Sequence, residues 1–338
     1  FDRRTELEGQ MKALRGDADR YRRIQEILAD PGLTDPSLRR QLEMLHTEYL
    51  PQQVPEAVRS RSNEIENEAD RIFSTYRMEV EGQPMSMADV DGLMTSSTDG
   101  ALLEVAWKES KKVAVPLLPL HQELVGLRNE AAREMGYADY YELALRARDY
   151  DPAWLEQFFA EVEAATEEPF RALKEGEIDP MLAERFGIEA AELRPWHYGN
   201  LYFQDIPPGM YALDLDPLFA RRDHEQVVAD AIDFYGGIGL PADQILAQSD
   251  LYPREGKNPH AMAHKMDMEA LGTSRLLMNL PIPPGTQNRR ETATLLHELG
   301  HTVHYEGVDH GQPLLFLDVI SQNTEAVAML MERTSSGC

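Results

Sequence analysis

Two histidines four positions apart are the residues best suited to chemistry in this sequence. They lie in LLHELGHTVHYEG, residues 295–307, where His297 and His301 flank Glu298. On an α-helix, positions i and i+4 share a face, so both imidazoles can reach one metal ion. Glu298, turned by about 100° around the helix, can face a metal-bound water without binding the metal. The pattern predicts a catalytic zinc ion, which lowers the pKa of its water to about 7 so that a carboxylate can take the proton.

A catalytic zinc ion needs a third protein ligand, and acidic residues follow the histidines. The candidates are Glu306, Asp309, Asp318, Glu325 and Glu332. Glu306 and Asp309 come too soon after the predicted helix to fold back easily. SQNTEAVAMLMER begins a second helical pattern that could pack against the first, and Glu325 stands near its start. We therefore predict Glu325 as the third ligand, 24 residues after His301.

His304 is the competing histidine. It stands nearly on the face of the two predicted ligands but one turn further on, where contact with a ligand or simple packing is favoured over metal binding. A related metalloprotease pattern has a glycine and then a third histidine after the motif. It would need glycine at His304 and histidine at Gly307, so the sequence excludes it.

The segments before the motif are predicted to be helical. Between Val58 and Tyr76, apolar residues recur at three- and four-residue steps, as in a helix packed by one face. Prolines follow Asp35 and Asp151, a pairing of N-cap and first helical residue that predicts helix starts.

The segment DPAWLEQFFAEVEAA places large apolar residues on one side of a predicted helix. We interpret them as core rather than as a ligand cage. They are Trp154, Leu155, Phe158, Phe159 and Val162.

A small hairpin is predicted just before the histidine motif. HAMAHKMDM and TSRLLMNLP show short alternating patterns, separated by the turn-like EALGT. After the hairpin, Asn288 with Glu291 resembles a capping box that opens the helix carrying the motif.

The composition limits what the protein can bind. Its 338 residues include 33 lysines and arginines against 59 acidic residues, a net charge of −26. Nucleic acid and anionic membrane surfaces would be repelled, so we predict neither as a partner. No apolar run approaches the length of about 20 residues that a membrane-spanning helix needs. Cys338 is the single cysteine and excludes a disulfide within the chain, which leaves the compartment open between cytoplasmic and periplasmic or secreted.

The motif and several upstream stretches resemble the angiotensin-converting-enzyme-like peptidyl-dipeptidases. LLHELGHTVHYEG followed by Glu325 looks like their zinc site, whose third ligand is a glutamate at this spacing. Similar stretches in the same order are LVGLRNEAAREMGYADYYELAL, WHYGNLYFQDIPP, DAIDFYGGIGLP and GKNPHAMAHKMDM. The resemblance covers residues from about 120 to 332, and the earlier helices fit the family's helical lid.

The resemblance implies a mostly α fold, a helical ellipsoid with a deep channel and a small β-hairpin or edge sheet beside the zinc-site helix. Residues 1–146 would form the helical lid and packing region, and residues 147–338 the zinc-site half of the same peptidase domain. The implied activity is zinc-dependent hydrolysis of short peptides, with release of C-terminal dipeptides.

The resemblance also implies residue roles. His297, His301 and Glu325 would bind Zn²⁺, and Glu298 would be the general base that later hands its proton to the leaving amine. His260 and Ala261, in PHAMAH, match the histidine–alanine pair of the family's substrate-binding strand. A partly buried strand histidine without a substrate role is an equally good interpretation of His260.

The sequence departs from the family in two places. Met329 stands where the family has an aspartate that orients a zinc histidine. The family's oxyanion-stabilising tyrosine and histidine and its carboxylate-binding lysine lie well beyond the third ligand, and the sequence ends soon after it. We therefore expect a fragment, which on its own would cleave poorly because loss of such a stabiliser typically costs about a hundredfold in rate.

Two other functions stay open. A peptidase similar to thimet oligopeptidase would cut inside short peptides, although its pattern places the third ligand one residue further on. A non-catalytic binding module could keep the metal site or only the fold, but a structural site has no use for Glu298. The oligomeric state is left open.

Overall fold

The computed structural model describes residues 2–203, 207, 210, 216–254, 257, 260–267, 269–283, 285, 288–317 and 321–334. The chain forms two compact units, Phe1–Ala212 and Leu213–Cys338. A lid region that ends at residue 146 stays a prediction.

Among its described residues, the N-terminal unit consists mainly of helices joined by short turns, with one two-stranded hairpin. Its helices are α1 (Asp2–Arg15), α2 (Ala18–Ala29), α3 (Pro36–Tyr49), α4 (Glu56–Thr75), α5 (Met87–Ser96), α6 (Gly100–Lys111), α7 (Ala114–Glu134), α8 (Tyr140–Arg146), α9 (Pro152–Leu173) and α10 (Asp179–Phe186). Its strands are β1 (Met78–Val80) and β2 (Gln83–Met85).

The predicted starts of α3 and α9 and the predicted inward face of α4 are confirmed in this unit. The Asp35 side chain accepts hydrogen bonds from two backbone amides at the start of α3, and Asp151 accepts one from Trp154 at the start of α9. The predicted stripe of α4 faces inward, since Ile65 is buried. α4 packs against α7.

The prediction that the aromatic face of α9 is core is wrong. No residue of α9 is buried, and Trp154 and Phe159 are 56% and 58% exposed. Trp154 stacks on Phe158, which meets Phe159 edge-on, so the rings pack mainly along the helix itself. Helical spacing predicts that side chains share a face, but it does not predict whether another element covers that face.

The C-terminal unit carries the histidine motif. Its helices are α11 (Asp216–Phe219), α12 (His224–Gly237), α13 (Asp243–Ala247), α14 (Arg289–Glu306) and α15 (Ser321–Thr334), and its strands are β3 (Met262–Lys265) and β4 (Ser274–Leu277). Its core lies among α12, α13, β4 and α14. Tyr235 is fully buried there, and its hydroxyl donates a 2.5 Å hydrogen bond to the Leu296 carbonyl.

The predicted hairpin is confirmed as β3 and β4, which pair antiparallel from Met262 opposite Leu277 to Lys265 opposite Ser274. The far side of β4 is also bonded, because Asp250 exchanges backbone hydrogen bonds with Leu276 and Met278. β3 has β4 as its one strand neighbour among the described residues.

The two small sheets and many helices confirm the mostly α fold class. Within the described residues, no helix is both long enough and apolar enough to cross a bilayer. The deep channel stays a prediction.

Candidate metal centre

Helix α14 brings the histidine motif into the core of the C-terminal unit. The Asn288 side chain accepts a hydrogen bond from the Glu291 amide, as expected of an N-cap. Leu295 and Leu299 are buried on one face of the helix, and this packing fixes its rotation. The rotation places His301, 7% exposed, toward the interior and leaves His297 half-buried.

The structure brings together His297, His301 and Glu325. The two imidazole Nε2 atoms lie 3.2 Å apart. Glu325 Oε2 lies 3.5 Å from His297 Nε2, and Glu325 Oε1 lies 3.6 Å from His301 Nε2. In a tetrahedral zinc site with bonds of about 2.0–2.1 Å, neighbouring ligand atoms are about 3.4 Å apart. The three side chains therefore fit a zinc ion.

Each histidine is held by its other ring nitrogen. His297 Nδ1 lies 3.0 Å from Glu332 Oε2, and His301 Nδ1 lies 2.9 Å from Thr324 Oγ1. A carboxylate only accepts, so His297 donates its Nδ1 proton to Glu332, and its Nε2 keeps a free lone pair. The same tautomer of His301 donates to Thr324. Both Nε2 lone pairs then point into the space beside Glu325, as metal ligation requires.

Sequence reasoning missed the orienting roles of Thr324 and Glu332. Both lie on α15, one residue before and seven residues after Glu325. A seven-residue step returns to nearly the same helical face, and this signal was available in the sequence. Glu332 makes the contact to a zinc histidine that the resemblance assigns to an aspartate at the position of Met329. The Met329 side chain is half-exposed on α15.

Close contact between α14 and α15 sets the position of Glu325. A Cβ added at Gly300 would lie 2.6 Å from the Ala328 Cα, nearer than real atoms approach. Glycine at this position therefore lets the two backbones touch. Glu325 lies one turn before Ala328, so the contact brings its carboxylate to the histidines.

Glu298 lies beside this cluster and is 8% exposed. Burial raises the pKa of its carboxyl group, and nearby Glu325 adds to the rise. His297 and a backbone hydrogen bond from Ala263 on β3 oppose it. A carboxylate with a raised pKa takes up a proton more readily than an exposed one does, which suits a general base.

The hairpin is fastened to the C-terminal end of α14. The Lys265 ammonium donates a 2.8 Å hydrogen bond to the Tyr305 carbonyl. Glu306 accepts hydrogen bonds from the amides of Gly272 and Ser274 and from the Ser274 hydroxyl. These contacts hold β3 alongside Glu298.

The other predicted residues lie around the cluster. His260 is exposed and Ala261 is half-buried, immediately before β3. His304 is half-buried outside the three-residue group, and its Nδ1 has no hydrogen-bond partner among the described residues. Asp309 turns back to accept a hydrogen bond from the Gly311 amide. Asp318 and Cys338 lie outside the described residues.

The fold and the site define a mostly helical protein with a candidate metal centre of two histidines and one glutamate. Comparison with known families identifies the family of this chain. The family model described as angiotensin-converting enzyme matches residues 5–173, half of the chain. The chain belongs to the angiotensin-converting enzyme family, as the sequence predicted. The matched residues end before the histidine motif begins, so the motif is a separate indication of the same family.

Individual angiotensin-converting enzymes are also similar to this chain. The chain is 25% identical over 306 residues to angiotensin-converting enzyme of Mesocricetus auratus, an alignment that covers 80% of this chain and 22% of the relative. It is 25% identical over 313 residues to the enzyme of Oryctolagus cuniculus, covering 82% and 22%. The chain therefore spans about a fifth of the length of these relatives.

Proposed function

We propose that this protein is a zinc metallopeptidase that hydrolyses short peptides and releases dipeptides from their free C-terminus. The observation that carries the proposal is the convergence of the His297, His301 and Glu325 ligand atoms within 4.8 Å, with buried Glu298 beside them. Membership of the family supports peptidase chemistry at this site.

His297, His301 and Glu325 would hold the ion, with Glu332 and Thr324 orienting the imidazoles. When bound, Zn²⁺ polarises the scissile carbonyl and lowers the pKa of the attacking water. Two neutral nitrogens and one carboxylate would offset only one of the two charges of a bound Zn²⁺, so the loaded site would favour the negative charge that develops on the carbonyl oxygen.

Glu298 would act as the general base. Its carboxylate takes a proton from the attacking water and then gives that proton to the nitrogen of the leaving amine, so the same group serves both steps. The low exposure of Glu298 limits competition from bulk water for its proton.

Strand β3 is the candidate peptide-binding edge. It is bonded to β4 on one side, and its Ala263 amide lies against Glu298, so an extended peptide paired along the other edge would run past the general base. His260 and Ala261 stand at the entrance to this strand, and we assign them to substrate binding.

The proposal is tested with a ten-residue peptide that has a free C-terminus, incubated with the zinc-loaded protein and followed by mass spectrometry. The same peptide with an amidated C-terminus is the matched substrate control, and Glu298→Gln is the matched protein control. We expect slow, successive loss of C-terminal dipeptides from the free peptide alone, in keeping with the poor cleavage expected of this chain on its own, with a rate at least about a hundredfold lower in the variant.

Two other outcomes of this experiment would support the alternative functions. Equal internal cleavage of the free and amidated peptides would replace dipeptide release with oligopeptidase activity. An intact peptide in the presence of bound zinc would assign the 338-residue chain to the non-catalytic alternative.

A further inference from the structure

The N-terminal unit contains a second feature suited to ligand binding, a half-open cavity of about 850 Å³ among α1, α4, α7 and α8. Its volume falls within the range of about 300–1,000 Å³ that is typical of small-molecule sites. The described residues that line it all belong to the N-terminal unit, and none of them is a residue of the candidate metal centre.

The charge of the cavity is opposite to that of the protein. Acidic residues outnumber basic ones by 59 to 33 over the whole chain. Among the residues whose side chains the structure describes, the lining nevertheless contains Lys12, Arg59, Arg128 and Arg148 and a single acidic residue, Glu56. In so acidic a protein, this reversal marks a place where an anion would be attracted.

Three of these cations pair with no carboxylate among the described residues. Arg128 pairs with Glu66, but Arg148 donates to the Ala144 carbonyl, and Arg59 donates to the Gln52 side chain. The Arg59 Nε is buried and has no hydrogen-bond partner there. Since a buried donor without an acceptor is costly, an acceptor from a ligand would stabilise it.

Neighbouring arginines show that pairing is the rule nearby. Arg61, two residues after Arg59 on α4, pairs with Glu123 and Glu64. Arg146, two residues before Arg148, pairs with Asp151. The three cations without a carboxylate partner thus line the cavity, whereas the arginines next to Arg59 and Arg148 on their helices are neutralised.

The start of α4 also lies at the cavity, with the acidic Glu56 in its first turn. Helix α4 has 20 residues, and no side chain caps its N-terminus, where Pro55 holds the cap position. Residues of its first turn line the cavity. Free amides and the helix dipole at such a terminus favour a negatively charged group.

We propose that this cavity binds a small multivalent oxyanion, a molecule with two or more charges on carboxylate or phosphate groups. Arg59 and Arg148 would form charge-assisted hydrogen bonds to its oxygens, and Lys12 would add a third positive charge. This site goes beyond the proposed peptidase function and does not depend on zinc.

Isothermal titration of the full chain tests the proposal, with sodium pyrophosphate in one arm and sodium succinate in the other, at constant ionic strength set by sodium chloride. We expect saturable binding of at least one anion. Binding of pyrophosphate alone would identify phosphate as the ligand class, and binding of succinate alone would identify carboxylate.

Amino-acid substitutions test whether the anion binds in this cavity. The Arg59→Gln/Arg148→Gln double variant should bind about a hundredfold more weakly, about tenfold for each charged hydrogen bond removed. Arg71→Gln is the matched control, because Arg71 lies on the same helix, pairs with Glu68 and does not line the cavity. Glu325→Ala should leave anion binding unchanged, which excludes chelation at the metal centre.

If the double variant fails to fold, Lys12→Gln at an exposed position replaces it, with an expected loss of a few-fold in affinity. The proposal is overturned if neither anion binds saturably. It is also overturned if Arg71→Gln weakens binding as much as the cavity variants do.

Discussion

The Nδ1 atom of His297 lies 3.0 Å from the carboxylate of Glu332, so a residue from the end of α15 orients a histidine in the middle of α14. Met329 occupies the position at which the sequence resemblance places an orienting aspartate. Glu332 provides a carboxylate from three residues further along the same helix, nearly one turn away.

Replacement of Glu332 tests this relationship. Glu332→Ala should weaken zinc binding by about 10- to 100-fold, because outer partners fix the tautomer and direction of ligating histidines. Competition with a chelator measures the affinity. Asn323→Ala, at an exposed position of α15, should leave it unchanged. Equal affinities of the parent and Glu332→Ala would show that the contact does not orient His297.

Replacement of Glu325 tests the third ligand. Glu325→Ala should weaken zinc binding more than the loss of an outer partner does, by over about 100-fold, because it removes an atom that contacts the metal. Asp318→Ala is the comparison, since Asp318 was the neighbouring acidic candidate in the sequence. Similar losses in the two variants would refute the assignment.

Glu298→Gln should separate catalysis from metal binding and also change stability. Burial raises the pKa of Glu298 above its ordinary 4.5, so the folded protein holds this proton more tightly than the unfolded chain. Ionisation at neutral pH therefore destabilises the metal-free fold, and the variant should melt at a higher temperature at pH 7.

The gain should shrink as the pH falls through the raised pKa of Glu298 and vanish below the ordinary glutamate value, because the carboxyl group is then protonated in both states. Thermal melts of metal-free parent and variant from pH 7 down to pH 4 measure it. Zinc affinity should stay the same. Loss of zinc from Glu298→Gln would mean that Glu298 is a ligand and not the base.

Gly300→Ala should force α14 and α15 apart. The added methyl group would meet the Ala328 backbone at 2.6 Å, and such overpacking costs about 1–3 kcal/mol. We expect a lower Tm and weaker zinc binding, because Glu325 moves with α15. Gly126→Ala on α7, with open space around its Cβ position, is the matched control and should be neutral or stabilising.

Glu306 should make the hairpin sensitive to acid. Burial opposes it, but hydrogen bonds from Ser274 and Gly272 and the nearby Lys265 lower the pKa of Glu306 below its usual value. Its stabilising contribution is therefore present above the ordinary glutamate pKa and is lost as the pH falls through the lowered value.

Glu306→Gln should speed amide exchange at Gly272 and Ser274 at pH 7, measured by NMR, without affecting the Asn288 cap at the other end of α14. The Tm difference between parent and variant should vanish in acid. Unchanged exchange at both amides would show that Glu306 does not fasten the hairpin.

Local signals in the sequence predicted much of the fold. The caps at Asp35, Asp151 and Asn288 and the alternation of β3 and β4 depend on neighbours within a few residues, so they could be identified without knowing the fold. The aromatic face of α9 could not, because burial depends on distant segments. The spacing of Trp154 and its neighbours correctly predicted a helix, but it wrongly predicted that the Trp154 side chain is buried.

By itself, the sequence determined that His297 and His301 share a helical face with Glu298 beside them, since the geometry of an α-helix requires it. Glu325 could be proposed from its spacing, but only tertiary packing at Gly300 and Ala328 decided that its carboxylate meets the histidines. The partners of the histidine Nδ1 atoms, Thr324 and Glu332, were likewise decided by the contact of two helices. Such contacts join residues far apart in the chain, and no local pattern specifies their distance or direction.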